Sequence, residues 1–157
     1  MEALTAKRRA IVDEWLARTL EAYPEHTASF LARGEDPFSN PVGHAFKEAF
    51  PVLVDELLGG MDLARIAPLL DQVVKIRAVQ DFTPSQAVAF VFLLKKVIRE
   101  ELKSDGLAAV EDRIDEMALL AFDLYLKCRE RIYAIKVNDA RRRAFLLVRI
   151  QERAEAR

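Results

Sequence analysis

Apolar residues recur along this chain at steps of three and four, and no window shows the alternation of a half-buried strand. Ile11, Trp15, Leu16 and Leu20 outline a first amphipathic helix over about Thr5 to Tyr23, with Pro24 marking its end. A short piece from His26 to Ala32 follows, anchored by Phe30 and Leu31. Then comes the one substantial loop, RGEDPFSNPVG, from Arg33 to Gly43. Asn40-Pro41 reads as a helix start, with Asn as cap and Pro in the first position. That helix is predicted to reach about Leu58, with a kink at Pro51, and to stop at Gly59-Gly60. A third helix, over about Asp62 to Val79, places Leu63, Ile66, Leu70, Val73 and Arg77 on one face. Pro68 marks either its true start or a bend. Thr83-Pro84 repeats the start signal, and the helix it opens runs to about Lys103, ending near Ser104-Asp105-Gly106.

The last segment, from about Leu107, is the longest. Val110, Ile114, Met117, Ala121, Leu124, Cys128, Ile132 and Ile135 form a heptad-like seam. The helix either breaks near Val137-Asn138-Asp139 or runs on through Phe145, Val148 and Gln151. The fold class expected is all-α: a single-domain bundle of about five to six helices with a long C-terminal helix. The division expected is a helical sensory or regulatory domain over 1–137 and a basic helical extension over 138–157.

Composition narrows the class. A chain of 157 residues, 52% hydrophobic and 31% charged, can bury a real core and is neither disordered nor fibrous. A net charge of −1 exerts no general pull on nucleic acid or membrane, and no nucleic-acid partner is expected. The single Cys128 excludes an internal disulfide framework. The start, MEALTAKRRAIVDEW, has no apolar core of a signal peptide. The longest apolar run, Ala87 to Leu94, falls far short of the roughly 20 residues of a membrane span, so no integral membrane segment is expected and the location expected is cytoplasmic.

The most distinctive stretch is IRAVQDFTPSQAVAFVFLLKKVI, Ile76 to Ile98. Within Ala87 to Leu94 there is no polar face, so that helix needs burial on all sides, by its own domain or by a second chain. Phe90, Val91, Phe92 and Leu94 are therefore its core or dimer positions. The residues before it are polar: Arg77, Gln80, Asp81, Ser85 and Gln86. Asp81 and Ser85 are placed to answer the unpaired amides and positive dipole end of the helix start. Arg77 stands one turn before Asp81, where an ion pair would fix the corner, and Gln80 and Gln86 could close the network. If the network is buried, each polar member needs a partner, and Asp81→Ala should destabilise the fold. The alternative is a pocket in which Arg77 and the helix start hold a small anion.

Other candidates carry less. His26 and His44 lack companions at metal-ligand spacing; Glu48 four residues after His44 does not complete a site, and no metal is expected. Cys128 reads as a small buried hydrophobe of the seam rather than a redox thiol. No catalytic pair, phosphate loop or triad stands out, so no enzymatic activity and no cofactor are expected. Residues 127–157 hold ten Lys/Arg and four Asp/Glu, a net of +6, leaving −7 for the rest. Arg141, Arg142 and Arg143 anchor this tail, which is either simply solvated or docks on an acidic partner or a second subunit.

Two stretches resemble the RsbRD N-terminal domain family. One is Ile76-Arg77-Ala78-Val79-Gln80-Asp81-Phe82 with Pro84-Ser85-Gln86-Ala87 and Phe90-Val91-Phe92-Leu93-Leu94-Lys95. The other is Asp36-Pro37-Phe38-Ser39-Asn40-Pro41-Val42-Gly43. With Trp15 in an aromatic first helix, the resemblance spans most of residues 5 to 125. It implies a sensory or regulatory input module, of the kind that precedes a STAS output domain in stress-response co-antagonists or a histidine kinase region. The related RsbR sensor domains are helical, dimeric and globin-like without haem. No STAS or kinase sequence follows the helices within these 157 residues, so no phosphorylatable residue carries over.

The expectation is thus a signalling module acting through helix packing around Phe90 to Leu94 and through association as a homodimer or with a signalling partner. The alternatives are a helical protein that binds a small molecule or cofactor, and an adaptor that docks through its basic tail.

Overall fold

A computed structural model of the chain describes residues 7–34, 36–80, 82–101 and 107–156. Six helices and no strand occur among them: α1 Arg8–Leu20, α2 Glu25–Ala32, α3 Pro41–Leu58, α4 Leu63–Val79, α5 Pro84–Glu101 and α6 Leu107–Glu155. The fold is an all-α bundle, as the periodicity predicts.

Local chemistry sets the helix starts. Asn40 caps α3, its Oδ1 accepting the Gly43 amide at 3.0 Å, while its Nδ2 donates to the Phe30 carbonyl at 2.5 Å and so ties α2 to α3. Gly43 is required there, because a Cβ would lie 2.2 Å from the Leu31 carbonyl oxygen. Asp62 caps α4 through the Ala64 amide at 2.9 Å. Pro51 lies inside α3 and Pro68 inside α4. Gly59 and Gly60 end α3, and Met61 takes a left-handed φ of 54° in the turn to α4.

By contact the chain forms two units, Met1–Tyr125 and Leu126–Arg157. The first holds the core. Trp15 of α1 stacks on Phe50 of α3 with ring centroids 3.9 Å apart, and Phe46 and Phe90 extend the stack at 5.8 and 6.0 Å. Ile66, Leu70, Val73 and Val74 of α4 and Phe90, Val91, Leu94, Val97 and Ile98 of α5 close around it. Val110, Ile114, Met117 and Ala121 bury the first half of the predicted seam.

Two predicted anchors stand elsewhere. Phe30 is half exposed while Leu31 alone of that pair is buried, because α2 is too short to bury two faces. Leu63, at the first position of α4, is exposed, since the face formed by Ile66, Leu70, Val73 and Arg77 turns inward only after the first turn.

In the second unit almost every side chain is exposed. The helix continues through Val137-Asn138-Asp139 to Glu155. Along the seam Leu124, Cys128 and Ile132 are half-buried and Ile135 is exposed. Cys128 is therefore not the fully buried hydrophobe that the spacing suggests.

Candidate functional site

The corner between α4 and α5 is built first by a capping box. Thr83 Oγ1 accepts the Gln86 amide at 3.3 Å, and Gln86 Oε1 accepts the Thr83 amide at 3.0 Å. The T-x-x-Q spacing satisfies orphan amides reciprocally, with Pro84 in the first turn, where no amide is needed. Ser85 does not answer those amides; its hydroxyl shares a 3.2 Å bond with Thr83 Oγ1 at the surface. The capping box thus satisfies the Thr83 and Gln86 amides from within the chain. Asp81 lies outside the described residues, and so does its predicted pairing with Arg77.

Arg77 itself is 2% exposed. Its Nη2 donates to the Gln86 carbonyl at 3.1 Å, which links the end of α4 to the first turn of α5. Its Nε and Nη1 are buried without hydrogen-bond partners among the described residues. Among the described residues, aromatic rings surround the guanidinium. The guanidinium carbon stands 4.4 Å from the Phe82 ring centre, 5.6 Å from Phe90 and 5.8 Å from Tyr23. Cation–π contacts of this kind contribute on the order of 0.5–2 kcal/mol each. Burial pulls Arg77 below the usual arginine pKa and pushes the Tyr23 hydroxyl up, while their mutual attraction opposes both shifts. Gln80 closes the outer edge, its Oε1 accepting the Tyr23 hydroxyl at 2.8 Å. Tyr125 of α6 donates to the Phe82 carbonyl at 3.0 Å.

Of the predicted junction, Arg77, Gln80 and Gln86 therefore converge, and Ser85 sits at the rim. What the sequence reading missed is the cage of Tyr23, Phe82 and Phe90. Tyr23 follows α1, far from the junction in sequence, and no local pattern signals its approach.

The apolar helix has two different sides. Phe90, Val91 and Leu94 face the core and are fully buried, and the Phe90 carbonyl accepts the Trp15 indole N–H at 2.6 Å. Phe92 is 48% exposed, so it is not a core residue of this chain. It borders an open groove of about 820 Å³ between α5 and the first half of α6. Val88, Ala89 and Leu93 line one wall, and Ala118, Leu119 and Phe122 the other. Ion pairs bridge the two helices beside the groove: Lys95 binds Asp115 at 2.8 Å and Arg99 binds Glu111 at 2.5 Å. The signal for the second wall was in the sequence, as Leu119 and Phe122 form an i, i+3 apolar pair beside the seam.

The remaining candidates stay apart. His26 is exposed, and His44 lies 4.0 Å from Glu48; no group of metal-ligating side chains occurs among the described residues. Arg141, Arg142 and Arg143 are exposed. No helix among the described residues is long and apolar enough to cross a membrane.

Neither the curated proteins nor the solved structures contain a match to this chain. Residues 9–139 match the family described as the RsbT co-antagonist protein rsbRD N-terminal domain. The match includes both resembling stretches, the corner with its capping box and the Asp36–Gly43 loop, and covers well over half of the chain: it belongs to the RsbRD N-terminal domain family.

Proposed function

We propose that this chain is a cytoplasmic regulatory input module that signals by helix packing and protein–protein association, as a homodimer, and catalyses no reaction. The observation that carries this is the double role of α5. One side of the helix forms the core with Phe90, Val91 and Leu94, next to the Arg77 cage; the other offers Phe92 to an open apolar groove. A change in packing at the cage moves the surface that a partner reads. Arg77 suits such a role, since two of its buried nitrogens have no hydrogen-bond partner among the described residues, and a buried donor left unbonded is costly. A signal acts only so far as it prefers one packing over the other.

Membership in a family of input domains of stress-response co-antagonists supports the regulatory reading. A second reading, a receptor for a small apolar molecule, is favoured by the groove's volume of about 820 Å³, within the range of about 300–1,000 Å³ usual for ligand sites.

Native mass spectrometry on the freshly purified chain separates the two. The expected result is a dimer at twice the bare chain mass. A monomer with added mass that is lost on denaturation would replace the first reading by the second. For the coupling itself, Val91→Ala, on the core side, should change the dimer dissociation constant several-fold, about 1 kcal/mol, with the fold kept. An unchanged constant would show that core and association face are independent.

A further inference from the structure

We infer that the groove between α5 and the first half of α6 is the homodimer face itself, with two copies packed about a two-fold axis; this rests on the association reading above. In this arrangement the Leu119 and Phe122 ridge of one copy fills the groove of the other, and Lys96 meets Asp115 of the partner subunit.

Three observations select a second copy as the occupant. First, groove and ridge lie on one patch. Leu119 is 69% exposed, Phe92 48% and Phe122 46%, while Val88 and Ala89 leave the floor low between them. A two-fold contact requires such a self-complementary surface, since each copy presents the same residues. A small molecule lying in the groove would leave the outward Leu119 in water.

Second, the rim charges pair across a two-fold. Lys96 and Asp115 lie on opposite walls. Lys96 is exposed and makes no hydrogen bond among the described residues, though its charge also acts on Glu100 one turn along α5. Asp115 is bound by Lys95 yet half exposed, with room to accept a further donor. The operation that brings one Lys96 to one Asp115 forms the same pair a second time.

Third, the scale fits. The α5 wall runs from Pro84 to Lys96, about 18 Å of helix. Apolar ridges of that length, with flanking polar residues, can supply the core of an interface of about 800 Å² per partner. The α6 wall adjoins Glu111, Asp112, Asp115 and Glu116, which disfavours an anionic membrane surface as the occupant.

The test is sedimentation of the full chain and of variants at exposed positions, with chemical denaturation confirming that each is folded. Phe92→Glu combined with Leu119→Glu should weaken the dimer by more than about tenfold, because each copy would bury unpaired carboxylates. Leu63→Glu, at another exposed apolar position, should leave it unchanged. Lys96→Glu alone and Asp115→Lys alone should each weaken self-association, and mixing the two should favour the heterodimer, which regains both opposite-charge contacts. A folded Phe92→Glu/Leu119→Glu variant that still dimerises as the wild type does would overturn the assignment of this face while leaving association intact. A wild type that stays monomeric at every accessible concentration would remove both the face and the reading beneath it.

Discussion

Arg77 is a charged side chain whose described surroundings include three aromatic rings. Its burial was legible, since Ile66, Leu70, Val73 and Arg77 share a helix face and all four are buried. Its cage was not, because Tyr23 and Phe90 reach it only after the chain has folded. The energetics divide volume from charge. Arg77→Ala should cost about 2–5 kcal/mol, as a large side chain is lost from a closed site. Arg77→Met keeps most of the volume but gives up the bond to the Gln86 carbonyl and the ring contacts, so it should cost less than Arg77→Ala without being neutral. Urea unfolding of the pair checks this; equal losses would mean that the guanidinium itself holds the corner. Tyr23 adds a pH dependence. Burial raises its pKa, so the folded chain keeps this proton after an unfolded tyrosine has released it at about pH 10. Its contribution is complete below that pH and is lost as pH rises toward the higher folded value. Tyr23→Phe should therefore lessen the fall in stability between about pH 9 and 11.

At the scale of elements, dipeptides proved more informative than hydrophobic runs. Asn40-Pro41 and Thr83-Pro84 open α3 and α5 where predicted, because capping is local chemistry and needs no tertiary partner. Thr83→Ala should destabilise by about 1 kcal/mol through loss of the capping box. Gly43→Ala should cost about 1–3 kcal/mol, as the added methyl meets the Leu31 carbonyl and the Asn40 cap together. Thermal unfolding of both variants tests the two local arguments side by side. The run AVAFVFLL, by contrast, concealed its division into two sides. An unbroken apolar run shows that burial is needed but not how far away the neighbouring helix stands. Here ion pairs link α5 to α6, and Phe92 stays half exposed at the groove beside them.

For the molecule as a whole, the fold class was readable throughout, whereas the change in burial along α6 was not. The seam keeps its spacing from Ile114 to Ile135, but burial follows it only to Ala121 and fades from Leu124 onward. Spacing records a shared face and not whether anything covers it. The amides of 126–156 should therefore exchange orders of magnitude faster than those of α3 and α5, which hydrogen exchange read by mass spectrometry will show. Equal protection in both would mean that a partner covers the terminal stretch in solution.

Trp15 is the only tryptophan of the chain, and its indole is bonded to the backbone of α5 and stacked on Phe50. The protein thus contains its own label. Emission from one chromophore reports the position of one helix, with no dye attached and no residue altered. If the two sides of α5 are coupled, occupancy of the groove on the outer side will be read as a change in light from the inner side, in a cuvette and in real time.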